Sequence, residues 1–576
     1  MTDPAAAPPP ISPPGPARLA LEFTAAQWAA FGGPKEAGFE ILTGPGGLAS
    51  SPEPELANLA ARALQRAAEA LGLPVPAVKV VESDRLLAEE FAISAGGRPR
   101  FLGRWDQSFE QWWAEHPVAG RLGRTGLAGP TAEGLLSPAA RVARAVEEVV
   151  WDDPGLLWSR DAARRWLGDE PAERSTGRRG RLQSDALRDL VARRIPLVDH
   201  AGVTALLGRL TAPSEDSTVV EAAASELFPS EIAVHIGSDL EVDVSGERFA
   251  GVVGLVLEGL SAELGITFPL PKRQIVPALA PRAYEIAING LVRATSDIPE
   301  DRRFTRTPRP GVEAGETIPW ISPVAGWTGA WAVDPAGAMA GPDVSWDAAE
   351  FLGLHLAACL REAAAEFCDL AWVQQTFDRL EQLYPKLLEL ARARFPEQRI
   401  AAVLRGLLAE GVSVATLPQI LERLLEYELL PPAPLCLDDN EMHGALAWTT
   451  DAIAPLVEYV RSSLKDYLSY QQGRGSGTLG VFLLSPRLEA DLRGRLRAGG
   501  NGAGICDART VIPLLRELRQ ELGRHPGAEL PAVLTSVDIR SPLRRLLAAQ
   551  HPLVRVLSFN DLTPSSSIQP LARLDG

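Results

Sequence analysis

Cysteine is scarce in this sequence, which has four cysteines among its 576 residues. They are Cys359, Cys368, Cys436 and Cys506, and no two of them stand in the C-x-x-C spacing of zinc ligands or redox dithiols. A disulfide-stabilised secreted fold needs far denser cysteine. We therefore expect reduced thiols in a cytosol, with Cys359 and Cys368 packed in the core of a helical stretch.

Long apolar runs are missing too. The longest, Phe249–Leu260, is interrupted by Glu258 and by glycines, whereas a membrane-spanning helix needs about 20 mostly apolar residues. The beginning of the chain lacks the basic and apolar parts of a signal peptide and is rich in proline, so residues 1–18 are interpreted as a disordered tail. The sequence alone predicts a soluble, cytoplasmic protein without direct membrane insertion.

Positive charge is in deficit, since the net charge is −16. Nucleic-acid binding relies on clustered Lys and Arg that neutralise phosphates, so we expect no nucleic-acid partner. A local basic patch over residues 160–181 is interrupted by acidic residues, which is typical of a solvated loop. The remaining composition, 46% apolar and 23% charged, is ordinary for a chain that folds into several globular units.

No catalytic, cofactor-binding or metal-binding constellation is evident in the sequence. The nucleophile-elbow pattern G-x-S-x-G does not occur. The glycine-rich loop at residues 473–477 follows a helical pattern, whereas a phosphate cradle follows a strand. The ligand-type residues between Cys436 and His443 lack a second pair with which to form a zinc site. We predict no enzyme, no cofactor and no metal, with a hydrolase or nucleotide-dependent enzyme as the alternative of another class.

The sequence contains an internal repeat, so the same order of elements is predicted twice. Leu71–Gly97 aligns without a gap on Leu264–Gly290, with seven of the 27 positions identical. Each copy follows a segment of helical period and ends in strand-like alternation. A second similarity, in the same order, relates Leu187–Leu210 to Leu404–Leu424. We therefore predict that residues 19–215 are a degenerate copy of the later half; the alternative for the second similarity is two unrelated helical hairpins.

Three stretches carry a resemblance to a known family. They are D-R-L-E-Q-L-Y-P-K-L at Asp378–Leu387, R-G-L-L-A-E-G-V-S-V-A-T-L-P-Q-I-L-E-R-L at Arg405–Leu424, and E-Y-V-R at Glu458–Arg461. Together with the phrases around Arg540 and Ser558, they resemble the cytosolic part of the FHIPEP proteins, the export gates of flagellar and virulence type III secretion. The resemblance covers about residues 226–576, and we expect the chain to carry this part without the transmembrane half.

The resemblance implies a multidomain α/β (α+β) fold, in which a four-subdomain array like the cytosolic domain of an export gate follows the degenerate copy. The implied subdomains are an α/β one at residues 226–292 plus 346–368, a small β one inserted at 293–345, a helical one at 369–472 and an α/β one at 478–576. In the last of these, we expect V-R-V-L-S-F-N-D-L to supply the final strand.

The resemblance also implies a partner-binding groove between the first and the inserted subdomain. The family's acidic, aromatic and hydroxyl-bearing groove positions are here Ser322, Ala325 and Leu354, beside Trp327 and Trp331. We expect a chaperone-like or export-substrate-like protein segment to bind there by apolar contact, on a non-enzymatic platform reused as an adaptor. The alternative is a component of an export apparatus that acts with a separate membrane subunit. The family forms rings, whereas the extra copy leads us to expect a monomer or small oligomer.

Two aromatic features complete the predictions. His355 lies in G-L-H-L, which matches a family helix with a histidine at this position, and we expect a packed side chain and not a proton-transfer group. The run with Trp105, Phe109, Trp112 and Trp113 has the spacing of one helical face. It indicates core packing, with an aromatic anchor for a partner as the alternative.

Overall fold

The structure of the chain is a computed structural model. It describes residues 38–43, 45, 53–95, 98–104, 138–152, 154–158, 166, 187, 190–191, 197, 201–204, 230–305, 317–321, 328–333, 345–429, 450–473, 478–498, 508–524, 532–548, 554–564 and 566–576. Several predictions lie outside these residues: those for the tail at 1–18, the aromatic run at 105–113, the arginines of the basic patch and the segment from Cys436 to His443.

Amphipathic patterns build the first α/β unit. Along β1 (Gly38–Thr43), alternate side chains such as Phe39 and Ile41 are buried, and the apolar positions of α1 (Glu53–Leu71) recur at helical spacing. The remaining elements are β2 (Ala77–Glu82), β3 (Glu90–Ala95), β4 (Arg98–Arg104), α2 (Pro138–Asp152) and a 3₁₀ helix (Pro154–Leu157). The strand order is β2-β1-β3-β4, with β1 and β2 parallel and the other pairs antiparallel. Both helices share one apolar core with a face of this sheet.

A second α/β unit has the same arrangement. Its elements are β5 (Ile232–Ile236), a 3₁₀ helix (Ser238–Leu240), α3 (Gly246–Leu264), β6 (Lys272–Ile275), β7 (Ala283–Ile288), β8 (Leu291–Asp297), α4 (Ala348–Glu362) and α5 (Ala364–Phe367). The strand order is β6-β5-β7-β8, and again the first pair is parallel and the other two are antiparallel.

The two units agree in spacing and in register. β3 and β7 begin at Glu90 and Ala283, which are 193 positions apart because 283 minus 90 is 193, and β4 and β8 are separated equally, at 98 and 291. Both α1 and α3 have 19 residues. The strand pairing shifts register after Ile93 in the first sheet and after Ile286 in the second, again at equivalent positions.

The last residue of α1 and the last residue of α3 make the same long-range contact. The backbone N–H of Leu197 donates to the carbonyl of Leu71 at 2.8 Å, and that of Val414 donates to the carbonyl of Leu264 at 2.9 Å. These donors come from the two segments that form the second similarity in the sequence. The residue after each helix is a glycine with positive φ, 69° and 79°, which side chains with a Cβ rarely adopt.

A small antiparallel sheet lies between β8 and α4. Its strands are β9 (Arg302–Thr305), β10 (Thr317–Ile321), β11 (Thr328–Val333) and β12 (Ser345–Trp346), in the order β10-β11-β9-β12. Pro319 is tolerated in β10 because that strand is at the edge. The sheet, called the inserted sheet below, follows β8 directly and ends one residue before the N-cap position of α4 at Asp347.

The next part, called the helical unit, contains only helices among its described residues, 370–429 and 450–473. They are α6 (Leu370–Glu381), α7 (Pro385–Arg394), α8 (Glu397–Ala409), α9 (Leu417–Leu429), α10 (Thr450–Ser463) and α11 (Lys465–Gly473). The carboxylate of Asp369 caps α6 by accepting the N–H of Trp372 at 2.7 Å. The helical unit shares its apolar core with the second α/β unit. Within the described ranges, no helix is both long and apolar enough to cross a membrane.

Parallel strands form the C-terminal unit. Its elements are β13 (Thr478–Leu484), α12 (Pro486–Ala498), α13 (Ala508–Arg524), β14 (Ala532–Thr535), α14 (Val537–Ala548), β15 (Val556–Ser558), a 3₁₀ helix (Phe559–Asp561) and β16 (Ser567–Leu574). The order is β15-β14-β13-β16, and every residue of β14 is buried, as expected for a covered parallel sheet. The prediction that β15 is the final strand was wrong. β16 follows it as an edge strand, where Pro570 sits at a register shift opposite Val481.

Candidate functional site

Two of the five predicted groove residues lie in the described part of the chain. Trp331 is on β11 and Leu354 is on α4, whereas Ser322, Ala325 and Trp327 lie outside the described residues. Trp331 is 1% exposed, and its ring centroid lies 4.5 Å from that of Phe351. The sequence placed Trp331 in the wall of a partner-binding groove, whereas its indole is buried against Phe351 of α4.

Four aromatic residues, called the aromatic joint, fasten the inserted sheet to α4. They are Phe304, Trp331, Trp346 and Phe351. Phe304 is in the middle of the cluster, with ring centroids 5.4 Å from Trp331, 6.1 Å from Trp346 and 4.8 Å from Phe351. Such aromatic pairs stabilise by burial and by ring geometry. The joint holds the inserted sheet in one orientation relative to the second α/β unit.

Charged side chains, called the rim below, lie at the start of α4 next to the joint residue Trp346. Asp347 accepts the N–H of Glu350 at 2.9 Å, and Glu350 accepts the N–H of Asp347 at 3.0 Å, so α4 starts with a capping box. Arg248 from α3 pairs with both carboxylates, and Arg303 from β9 lies 3.7 Å from Glu350. Leu354 is one helical turn beyond Glu350 on the same half-exposed face. The rim thus offers fixed charges beside an aliphatic side chain, which suits recognition of a peptide segment.

A buried tyrosine–histidine pair lies beneath the joint. The hydroxyl of Tyr284 is 2.5 Å from Nδ1 of His355, and both residues are 0% exposed. Burial lowers the pKa of His355 to about 3 and raises the pKa of Tyr284 well above its ordinary value. Both groups are therefore neutral at ordinary pH, and His355 is a packed side chain as predicted. The first α/β unit has Phe91 and Ala145 at the equivalent positions of β3 and α2.

The sequence stretches that carry the family resemblance meet in a buried cluster, called the ion network. Its members are Glu410, Glu458, Arg461, Arg540 and Asp561. Arg540 is 0% exposed and donates to Glu410 at 2.7 and 2.9 Å and to Glu458 at 2.8 Å. Arg461 bridges Glu410 at 2.8 Å and Asp561 at 3.4 Å. The network joins the end of α8, α10, α14 and the last 3₁₀ helix.

The network contains three carboxylates and two guanidinium groups. Burial by itself would raise the pKa of Glu410, but the guanidinium groups of Arg461 and Arg540 outweigh it and hold the pKa below its usual value. The two carboxylates raise the pKa of Arg540 against the effect of burial, so it remains charged. Its role is structural, since it holds the helical unit against the C-terminal unit. The sequence identified these stretches, but the convergence of their charged residues was not predicted. The signal that could have revealed it is the presence of ionisable residues inside apolar helical patterns.

No other constellation in the described residues suggests chemistry. In that part of the chain, no group of three or more His, Cys, Asp or Glu side chains could hold a metal ion. Cys359 and Cys368 are buried, as the sequence predicted. The glycine-rich loop at 474–477 lies outside the described residues. The partner-binding groove remains a prediction, with Leu354 and Trp331 as its described residues.

Comparisons with known proteins agree with this architecture. The FHIPEP family profile matches residues 208–567. The chain is 26% identical over 227 residues to Low calcium response locus protein D of Yersinia pestis, which covers 39% of this chain and 30% of that protein. It is 26% identical over 371 residues to the Hypersensitivity response secretion protein HrcV of Ralstonia nicotianae, covering 62% of this chain and 49% of that protein. The chain thus spans 30% and 49% of the length of these two curated relatives.

Solved structures support the fold. The structure of the Chlamydia pneumoniae CdsV protein superposes with a TM-score of 0.53 at 24% identity, over 60% of this chain and 98% of that chain. A structure of CdsV in complex with the CdsO protein superposes with a TM-score of 0.52, also at 24% identity, over 60% of this chain and 97% of that chain. At this level of identity the likeness concerns the fold. It confirms the predicted α/β fold of several subdomains.

Proposed function

The chain belongs to the FHIPEP family, and from that premise we propose that it is a non-enzymatic platform that binds proteins for type III secretion-like export. The observation that carries this proposal is the continuity of the family match, which runs from residue 208 to residue 567 through the groove and the ion network. One relative, HrcV, is named as a secretion protein. The platform would act on the cytoplasmic side, where proteins are collected before export.

The groove between the second α/β unit and the inserted sheet is the proposed binding site. Its back wall is held rigidly by the aromatic joint, and its rim combines the charges of Asp347 and Glu350 with the aliphatic Leu354. In the sequence, Ser322, Ala325 and Trp327 fall in the connection between β10 and β11, next to the joint residue Trp331. A rigid, partly apolar groove binds an extended or helical segment with little loss of its own conformational entropy.

The proposed partner is an export chaperone or the segment of an export substrate. The structure of the CdsV protein has been solved in complex with CdsO, which supports the proposal that this fold binds other proteins. An apolar anchor of the partner would sit beside Leu354, and the rim, where Arg248 and Arg303 pair with Asp347 and Glu350, would offer polar contacts to the flanking residues of the partner. The observed residues favour this two-part recognition over a purely electrostatic one.

The proposal is tested by measuring binding of purified export chaperones of the same organism, alone and loaded with substrate, by isothermal titration calorimetry. Leu354→Asp places a charge in the apolar part of the groove and should weaken binding at least about tenfold, since anchors in an interface commonly contribute about 2 kcal/mol. The matched control is Leu390→Asp on α7, where the leucine is 56% exposed and away from the groove. Equal affinities of wild type and Leu354→Asp would exclude the groove. Failure of every chaperone to bind wild type would exclude the platform.

A further inference from the structure

The first α/β unit precedes residue 208, where the family match begins, and its strand β3 is covered on both faces of the sheet. All six residues of β3 are buried. Phe91 and Ile93 face the core that contains α1 and α2, while Ala92 belongs to an apolar cluster of the C-terminal unit. The side of the sheet toward which Leu42, Ala92 and Leu102 point is called the back face.

The back face is one feature in which the two α/β units differ. At the positions equivalent to Leu42, Ala92 and Leu102, the second unit has His235, Glu285 and Thr295. His235 and Glu285 pair at 3.6 Å and remain 25% and 22% exposed. The second sheet therefore keeps a polar, partly solvated back face, whereas the first sheet has the apolar Ala92 and Leu102 there, both 0% exposed, and the partly buried Leu42.

Helix α13 of the C-terminal unit supplies the cover. Its residues Val511, Leu515 and Leu518 are at most 1% exposed and share one apolar cluster with Ala92 and Leu102. The cluster also includes Leu86, which precedes β3. Two elements that are more than 400 positions apart in the sequence thus share one core, as the separation of 426 between Glu90 and Arg516 shows.

One ion pair fixes the orientation of this contact. Glu90 is 2% exposed and accepts from Nε of Arg516 at 2.7 Å and from its Nη2 at 2.5 Å. Arg519, one turn further along α13, donates to the backbone carbonyl of Leu102. A bidentate pair within an apolar contact tolerates one relative orientation of the two surfaces. The hydrogen bonds and positive charge of Arg516 overcome the effect of burial and lower the pKa of Glu90, so the carboxylate is charged.

The first unit also touches the second. Leu291, at the start of β8, is 1% exposed and belongs to the apolar core of the first unit. The second unit shares a core with the helical unit, and the ion network binds the helical unit to the C-terminal unit. The contact with α13 then returns to the first unit. The four contacts form a closed circuit within one chain.

We propose that α13 is a protein-docking surface whose occupant is the first α/β unit of the same chain, which closes the array in cis and leaves the chain monomeric. A surface on one end of a molecule that fits a different surface on the other end can join copies head to tail. The first unit has two contact surfaces, one against Leu291 and one against α13. Both are covered by parts of the same molecule. Only the first unit fits, because the second carries Glu285 and His235 where the contact needs apolar side chains.

Charge reversal in the full-length chain tests this assignment. Glu90→Arg and Arg516→Glu, each alone, should speed hydrogen exchange of the α13 amides by about a hundredfold or more, because each leaves a buried charge without its partner. The double reversal should restore protection. The matched control is Glu263→Arg, which breaks the bidentate pair with Arg361; that pair is 38% and 51% exposed and contributes little. Protection that is not restored in a folded double variant would overturn the proposal.

A gentler variant and a mixing experiment complete the test. Glu90→Gln keeps the shape of the side chain and removes its charge, so it serves as the test if the charge-reversal variants do not fold. It should increase the rate of amide exchange in α13 by about tenfold. Light scattering of the wild type should give the mass of one chain. In an equimolar mixture of the Glu90→Arg and Arg516→Glu proteins, the arginine introduced in one molecule would meet the glutamate introduced in the other. A dimer of the wild type would assign the docking site to a second copy and refute closure in cis; a dimer in the mixture alone would support the pairing of positions 90 and 516 as the contact that holds the two surfaces together.

Discussion

The stability of the second α/β unit should decrease below pH 6.5 because of His355. The side chain is 0% exposed, and burial lowers its pKa from 6.5 to about 3. The folded protein keeps the imidazole neutral at pH 5, whereas the unfolded chain binds a proton there. Protons bound only by the unfolded state favour unfolding, so the contribution of His355 is complete above pH 6.5 and is lost as the pH falls toward 3.

The size of this loss follows from the interval between the pH and the pKa of the unfolded chain. One pKa unit corresponds to about 1.36 kcal/mol, and pH 5 lies about 1.5 units below 6.5, so the free energy of unfolding should fall by about 2 kcal/mol between pH 7.5 and pH 5. The interval below pH 5 would add to the loss until the folded imidazole itself takes up a proton near pH 3. A loss of about 2 kcal/mol is a large fraction of the free energy by which a domain is usually stable.

Urea unfolding followed by circular dichroism at pH 7.5 and pH 5 measures this effect in the wild type and in His355→Gln. Glutamine does not titrate and can accept a hydrogen bond from Tyr284 in place of the imidazole. Groups such as Asp297, whose pKa is raised by burial, titrate in both proteins and cancel in the comparison. If His355→Gln loses as much stability as the wild type between the two pH values, the buried neutral histidine is not the cause.

Two further substitutions probe the turn after α3 and the ion network. Gly265→Ala should destabilise more than Gly290→Ala: positive φ costs both about 1–2 kcal/mol, but only at Gly265 would a Cβ clash, at 2.2 Å from the backbone nitrogen of Ala415. Equal urea midpoints of the two variants would contradict this. Arg540→Met should cost about 3–5 kcal/mol by leaving buried carboxylates unpaired, and adding Glu410→Gln should restore part of that stability. Thermal unfolding without any recovery in the double variant would show that the pairing is not what stabilises the junction.

Much of the fold could be predicted because its signals are local. The helix, glycine and strands of Leu71–Gly97 and Leu264–Gly290 follow from periodicity and from a glycine with positive φ, and these depend on neighbouring residues alone. The start of α6 at Asp369 likewise follows from a capping side chain within the same turn. The packed His355 was predicted from the match of G-L-H-L to a family helix with a histidine at this position, again a local pattern.

Other features could not be predicted because they depend on residues far apart in the sequence. β16 has polar residues and Pro570, and becomes a strand only because β13 offers a free edge. The burial of Ala92 and Glu90 depends on α13, more than 400 positions later. Trp331 was predicted to line the groove, yet its ring turns toward Phe351, which no local pattern reveals.

The ion network also explains what a family resemblance of this kind can indicate. Glu410, Glu458 and Arg540 come from three separate stretches, and each carboxylate needs the same guanidinium to be buried without a large energetic cost. A change at one position would leave the other charges buried without a partner. These residues are therefore expected to persist together wherever the helical and C-terminal units keep this junction. Their presence in a sequence is therefore a statement about the relative placement of two units. The proposed groove residues take no part in this network, so a change there leaves the junction intact.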